Sequence, residues 1–143
     1  MLRMWCVIAC FAALGVVNPA AAADAAGMWL NDDAFAKVRI VSCGDAMCGT
    51  VVWLSQPIDA KTGQPHTDKL NPNPKLRSRP IIGVQVFFAM QRKGRDDRWS
   101  GHIYDPERGK TYKGTIELLN PTRLKVQGCF WIYCESEIWT RSH

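Results

Sequence analysis

No stretch of this chain has the spacing of a catalytic or cofactor-binding motif, and only three histidines are available to build one. Beyond residue 23 nothing repeats with helical period, which removes the βαβ context that a thioredoxin-like redox site needs. Charge is sparse as well. The net charge of +5 falls to +4 once Arg3 is set aside with the N-terminal segment. The basic run Arg92-Lys93-Gly94-Arg95 is followed at once by Asp96 and Asp97, the pattern of a solvated hairpin loop. With no basic stripe to track phosphates, nucleic acid is not expected as a partner.

The strongly apolar stretch lies at the start. Met1-Leu2-Arg3 leads into an apolar run to Val17, then Asn18-Pro19 and the small residues Ala20 to Ala23. A positive end, an apolar middle and a small-residue cleavage site define a secretory signal, too short and wrongly flanked to anchor in a bilayer. Residues 1–23 are read as that signal and residues 24–143 as one domain of 143 − 23 = 120 residues, exported to the periplasm or secreted. Cys10 suggests a lipoprotein alternative, but the apolar run before it is short and the run after it stays apolar.

Export leaves four cysteines, Cys43, Cys48, Cys129 and Cys134, at two C-x4-C spacings. An even count in an oxidising compartment favours disulfides, and three connectivities are possible. The local pairs, Cys43 with Cys48 and Cys129 with Cys134, are favoured because each brackets a four-residue turn. Such a ring contributes about 2 kcal/mol in the loop-entropy account, against about 4 to 5 kcal/mol for a long cross-link such as Cys43 to Cys129. A four-thiolate zinc site fits the spacings but not the compartment. No metal and no cofactor are expected.

What the chain has in abundance is strand grammar. Trp99, Gly101 and Ile103 share one face before the turn Asp105-Pro106-Glu107-Arg108-Gly109, and Tyr112, Gly114, Ile116 and Leu118 share one face after it. Lys37 to Ser42 and Thr50 to Leu54 read as an earlier hairpin, Ile81 to Met90 as a strand covered on both faces, and Arg123 to Gln127 and Glu135 to Arg141 as the last strands. Between Ser55 and Pro80 five prolines forbid long regular elements, so this long connection is expected to be functional or a lid. Seven to nine strands joined by short turns must protect their edges. The expected fold is therefore all-β, an antiparallel meander that stacks as a sandwich or closes into a barrel of about eight strands. Gly27-x-Trp29 and Arg141 resemble the lipocalin-type signature, in which a last-strand arginine covers the first-strand tryptophan, which implies closure of a lipocalin-like barrel there, with Trp139 nearby.

The chain resembles the bacterial envelope family known as domain of unknown function 2147. The resemblance rests on Gly27-x-Trp29, Cys48-Gly49, the loop Asp68-x-x-Asn71-Pro72-x-Pro74-x-Leu76-Arg77-x-Arg79-Pro80-x-x-Gly83, the hairpin Trp99 to Tyr112, and Trp139-Thr140-Arg141. It covers the whole domain and implies a lipocalin-like barrel with no assigned reaction, so it implies no catalytic residue. At Phe130-Trp131-Ile132-Tyr133 the chain departs from the smaller residues the family more typically carries.

His66, Asp68, His102 and Tyr104 are the polar groups that could act as base and orienter if the long connection folds over the central hairpin. The simpler expectation is that Asp68 and Asn71 cap loop amides, His66 is solvated, His102 and Tyr104 are cross-strand neighbours, and Arg77 and Arg79 make rim ion pairs of little weight. Glu135 and Glu137 share a strand face without the cleft that paired carboxylate catalysis requires. Candidate ligand or partner contacts are Asp68, Asn71, Arg77, Arg79, Tyr104, Tyr112, Phe130, Trp131 and Tyr133. The first use expected is a barrel holding a small apolar or amphipathic ligand, with the Ser55 to Pro80 connection as lid; the alternative is a filled barrel meeting an envelope protein or membrane surface. The interior volume separates them.

Overall fold

The computed structural model describes residues 24–143; the leader read in residues 1–23 lies outside them. Eight strands run in sequence order around a closed antiparallel barrel: β1 (Gly27–Leu30), β2 (Ala36–Cys43), β3 (Ala46–Leu54), β4 (Gln85–Arg92), β5 (Arg98–Asp105), β6 (Lys110–Asn120), β7 (Arg123–Phe130) and β8 (Tyr133–Ser142). The meander expected from the alternation, closed as the lipocalin-like resemblance implies, is thus the fold adopted. Its register follows from which side chains are apolar: Trp99 opposes Ile116, Gly101 opposes Gly114, and Ile103 opposes Tyr112 across β5 and β6.

The apolar run from Ile81 departs from its expected limits. β4 begins only at Gln85, and the residues before it take a separate course beside β3, where the Val51 amide donates to the Val84 carbonyl (2.9 Å) and the Gly83 amide to the Val51 carbonyl (2.8 Å). Within β4 the pairing with β5 shifts between Phe88 and Gln91, and Ala89 adopts φ 47°. A bulge at this point lets Phe87 and Met90, an odd number of residues apart, both point inward.

All eight strands send a side chain into one interior cluster: Trp29, Val38 and Ile40, Met47 and Val51, Phe87 and Met90, Trp99, Ile116, Leu124 and Val126, and Trp139. Trp29, Met90, Ile116 and Leu124 are fully excluded from solvent. Bulky side chains therefore occupy the barrel axis, as in small barrels without a ligand chamber.

In a meander the connections alternate between the two ends. One end carries the chain entry before β1 and the turns β2–β3, β4–β5 and β6–β7. The other, the loop end, carries the β1–β2 turn, the long connection 55–84, the β5–β6 turn and the tip of the β7–β8 hairpin. Contacts match this division: the Ser55 amide donates to the Phe35 carbonyl (2.8 Å). A Cβ at Gly109, in the β5–β6 turn at φ 62°, would collide with the Leu70 carbonyl of the long connection.

Candidate functional site at the loop end

Connection 55–84 is ordered by a buried polar knot. Asp68 is fully buried and accepts from the Tyr104 hydroxyl (2.5 Å), the Asn71 amide (2.8 Å) and both Nε and Nη2 of Arg79 (3.0 and 2.8 Å). Local sequence sets this up. Asn71 Oδ1 accepts from the Asn73 amide, Asn73 caps the short 3-10 turn Pro74–Leu76, and the Arg77 Nε donates to the Asn71 carbonyl (2.8 Å). Tyr104 lies on the outward parity of β5, opposite to Trp99 and Ile103, and is buried because the connection covers it. Burial first, and then its bond to the Asp68 carboxylate, push the Tyr104 hydroxyl up to about 12.

These positions differ from several expectations. Asp68 does not cap loop amides; its carboxylate holds a tyrosine, an asparagine and an arginine. Arg79 is not a rim ion pair, because its partner is fully buried. His102 and Tyr104 are not cross-strand neighbours; they are two apart on β5, and His102 sits opposite Lys113 and Phe88. His66 lies edge-on to Phe35 at 6.2 Å between ring centroids. The polar set therefore divides: Asp68 and Tyr104 meet, and the histidines belong to other contacts. With Oδ1 of the carboxylate held by Tyr104 and Oδ2 by Asn71 and Arg79, the knot is suited to holding the connection in place.

Across the barrel mouth, Arg108 joins the β5–β6 turn to β8 through Glu135 (3.1 Å) and also approaches Asp105 (3.7 Å). The Trp139 indole N–H donates to Glu137 (2.7 Å). Desolvation raises the Glu137 carboxyl above its usual range, and Asp32, Asp33 and Asp105 push the same way. Sequence spacing paired Glu135 with Glu137 but gave no signal that Arg108 would reach across. That contact exists because β5–β6 and β7–β8 turn at the same end.

The tip of the β7–β8 hairpin is the most exposed apolar feature among the described residues. Phe130 is 67%, Trp131 92%, Ile132 84% and Tyr133 77% exposed. Cys129 and Cys134 lie directly opposite one another beneath it and are joined as a disulfide. Tyr112 lies below, edge-on to Phe130 at 6.5 Å. Trp131 takes φ 58°, the left-handed region that favours glycine, and gains no burial there.

At the opposite end Arg141 lies over the Trp29 ring, 4.2 Å from its centroid, while its Nη1 donates to the Ala26 carbonyl (2.8 Å) and its Nη2 to the Asp24 carbonyl (2.9 Å). Gly27 is required for this approach: at φ 134° its added Cβ would stand 2.5 Å from Arg141 Nη1. Trp139 takes no part in the cation contact and packs on Phe87, 5.4 Å between centroids. The second disulfide, Cys43 with Cys48, lies at this end. Two open grooves of about 390 and 280 Å³ also lie here, one lined by Arg95 to Arg98 with Glu117 and Leu118, the other by Asp24, Ser42, Gly44 to Met47, Arg92 and Trp99.

A closed eight-stranded antiparallel meander, sealed by a last-strand arginine over a first-strand tryptophan, is a lipocalin-like barrel. In keeping with this, the chain superposes with TM-score 0.68 on a structure described as "Protein HP1028 from the human pathogen Helicobacter pylori belongs to the lipocalin family", at 22% identity over 82% of each chain. The chain belongs to the family described as "Uncharacterized protein conserved in bacteria (DUF2147)", which matches residues 27–141. No curated protein matches the sequence.

Proposed function

We propose that this protein is an exported recognition module that meets an envelope protein or membrane surface through its loop end, and not a carrier that encloses a ligand along the barrel axis. The observation that carries this reading is the filled interior: inward side chains from all eight strands pack together, with Trp29, Met90, Ile116 and Leu124 inaccessible to solvent. A lipocalin-like fold by itself favours a small apolar ligand in the barrel mouth. Such a ligand would have to displace these side chains, each of which contributes on the order of 1.5 to 3 kcal/mol by burial. The exposed Phe130 to Tyr133 tip and the knot-held connection supply the outer surface instead. Two disulfides and the leader read in residues 1–23 support an extracytoplasmic setting.

Native mass spectrometry of the protein recovered from the cell envelope tests the reading. The expected species is a bare chain beginning at Asp24 with both disulfides formed. A stoichiometric small apolar adduct that survives desalting overturns the filled-barrel reading, and a chain that retains residues 1–23 overturns export by cleavage.

A further inference from the structure

Resting on that reading, we propose that the occupant of the loop-end tip is a lipid bilayer, entered by Trp131 and followed to interfacial depth by Phe130, Ile132 and Tyr133. The backbone supplies the first argument. At the opposite end of the barrel the first residue of the β2–β3 turn is Gly44 at φ 68°, the residue type that such a conformation favours. At the matching position of the β7–β8 turn the chain places a tryptophan at φ 58° with 92% of its surface exposed. Neither backbone comfort nor core packing accounts for that choice. A side chain held under strain with nothing to pack against points to a use outside the fold.

Area and charge then select the occupant. Four side chains of this size, exposed to this degree, present on the order of 600 to 700 Å² in one convex patch, above the few hundred Å² usual for a monomer. A second copy of the chain is disfavoured by the strand that leads to the tip. β1 pairs only with Thr140 to Ser142, so β8 from Tyr133 to Trp139 has a strand neighbour on the β7 side alone. Two-fold pairing along that edge would set Glu135 against Glu137 of the second copy, like charge facing like charge. A bilayer makes no such demand and deforms around a convex tip. On the shoulder Arg108 offsets part of the charge of Asp105 and Glu135, and the net charge of the whole chain without Arg3, +4, favours long-range approach to an anionic lipid surface. Trp and Tyr, with apolar bodies and polar edges, are the residues that settle at the headgroup level.

Vesicle flotation with the oxidised chain beginning at Asp24 tests the inference, using phosphatidylcholine vesicles with and without phosphatidylglycerol and with brominated acyl chains to quench tryptophan emission. Wild type is expected to float and to be quenched on both lipids, more tightly on the anionic one at low salt. Trp131→Gly and Trp131→Asn, both of which tolerate the turn conformation, are expected to lose roughly ten- to hundredfold in partition, the factor associated with burying one large apolar side chain. Their quenching should disappear and their melting temperature should not fall. Tyr133→Ser, at the strand end, should give a smaller loss of the same kind. The inference is overturned if wild type stays with the aqueous fraction, or if the Trp131 variants partition as wild type does. A bare chain by native mass spectrometry that ignores vesicles overturns the bilayer inference alone; a stoichiometric adduct overturns the filled barrel and leaves the vesicle result standing.

Discussion

The β2–β3 hairpin turns on Gly44-Asp45 and the β7–β8 hairpin on Trp131-Ile132, each within a disulfide that spans five positions, at opposite ends of one barrel. Beneath the first tip the bridge runs diagonally: Cys43 stands opposite Ala46 and Cys48 opposite Val41, with Cα atoms 5.9 Å apart. Under the second, Cys129 stands directly opposite Cys134, with Cα atoms 4.1 Å apart and Phe130 and Tyr133 raised above the staple. The lesson concerns division of labour. A covalent staple can hold a hairpin whatever its tip contains, so one tip takes the residues a turn prefers and the other is free to take residues a turn disfavours.

The comparison extends to how each end is secured, and the largest effect should come from the loop end. Asp68→Ala removes the acceptor of the knot, and urea unfolding is expected to show a loss of about 3 kcal/mol, the low end for a buried pair because Arg79 is 36% exposed and can turn to water. A loss below about 1 kcal/mol would mean that the connection is held by its prolines and not by the carboxylate. Next come the staples. Replacing Cys43 with Cys48, or Cys129 with Cys134, by serine pairs should cost about 2 kcal/mol each in melting experiments, and unequal costs would break the symmetry of the comparison. At the closed end, a double-mutant cycle on Trp29→Ala and Arg141→Ala should return a coupling of about 0.5 to 2 kcal/mol, whereas additivity would reduce the arginine to a surface contact.

Exchanging the tips gives a mirror-image test of about 1 kcal/mol in each direction. Gly44→Trp should destabilise although nothing stands within 4 Å of its Cβ position, because the conformation and not the space is at fault. Trp131→Gly should stabilise. Calorimetry giving the same sign for both would refute the strain account. The last effect is confined to alkaline solution. Tyr104 titrates near 10 when unfolded and near 12 when folded, so its contribution is complete below pH 10 and is lost as pH rises from 10 to 12. Tyr104→Phe should lack that limb of the stability profile.

Much of the barrel was legible because strand alternation is a local signal: the β5–β6 face from Trp99 through Ile116 can be read by counting in twos. The β4 bulge was not, since the displaced Ala89 is an ordinary residue whose left-handed backbone answers to the inward pull on both Phe87 and Met90. At the loop end, sequence marked Asp68, Asn71, Arg79 and Tyr104 as candidates but not their mutual contact, which depends on a 36-residue separation closed by the path of a proline-rich connection. The same blindness placed His102 across from Tyr104 when both belong to one strand. Exposure at Phe130 to Tyr133 was partly visible from composition, whereas the strain at Trp131 required a backbone angle.

Seven of the eight strand pairings join neighbours along the chain, six through short turns and β3 with β4 through the long connection 55–84. The eighth is different in kind: Trp29 meets Arg141 across 141 − 29 = 112 positions, through three residue pairs only. Its entropic cost falls due late, because loop closure over such a length is the slow, non-local part of assembling a β fold. Until Thr140 to Ser142 dock on β1, the molecule is an open eight-stranded sheet with two raw edges, the state in which such sheets stick to one another. The guanidinium that bridges the Trp29 ring and the carbonyls of Asp24 and Ala26 is thus a clasp on a ring, and the step it completes separates a meander with two full-length raw edges from a closed barrel.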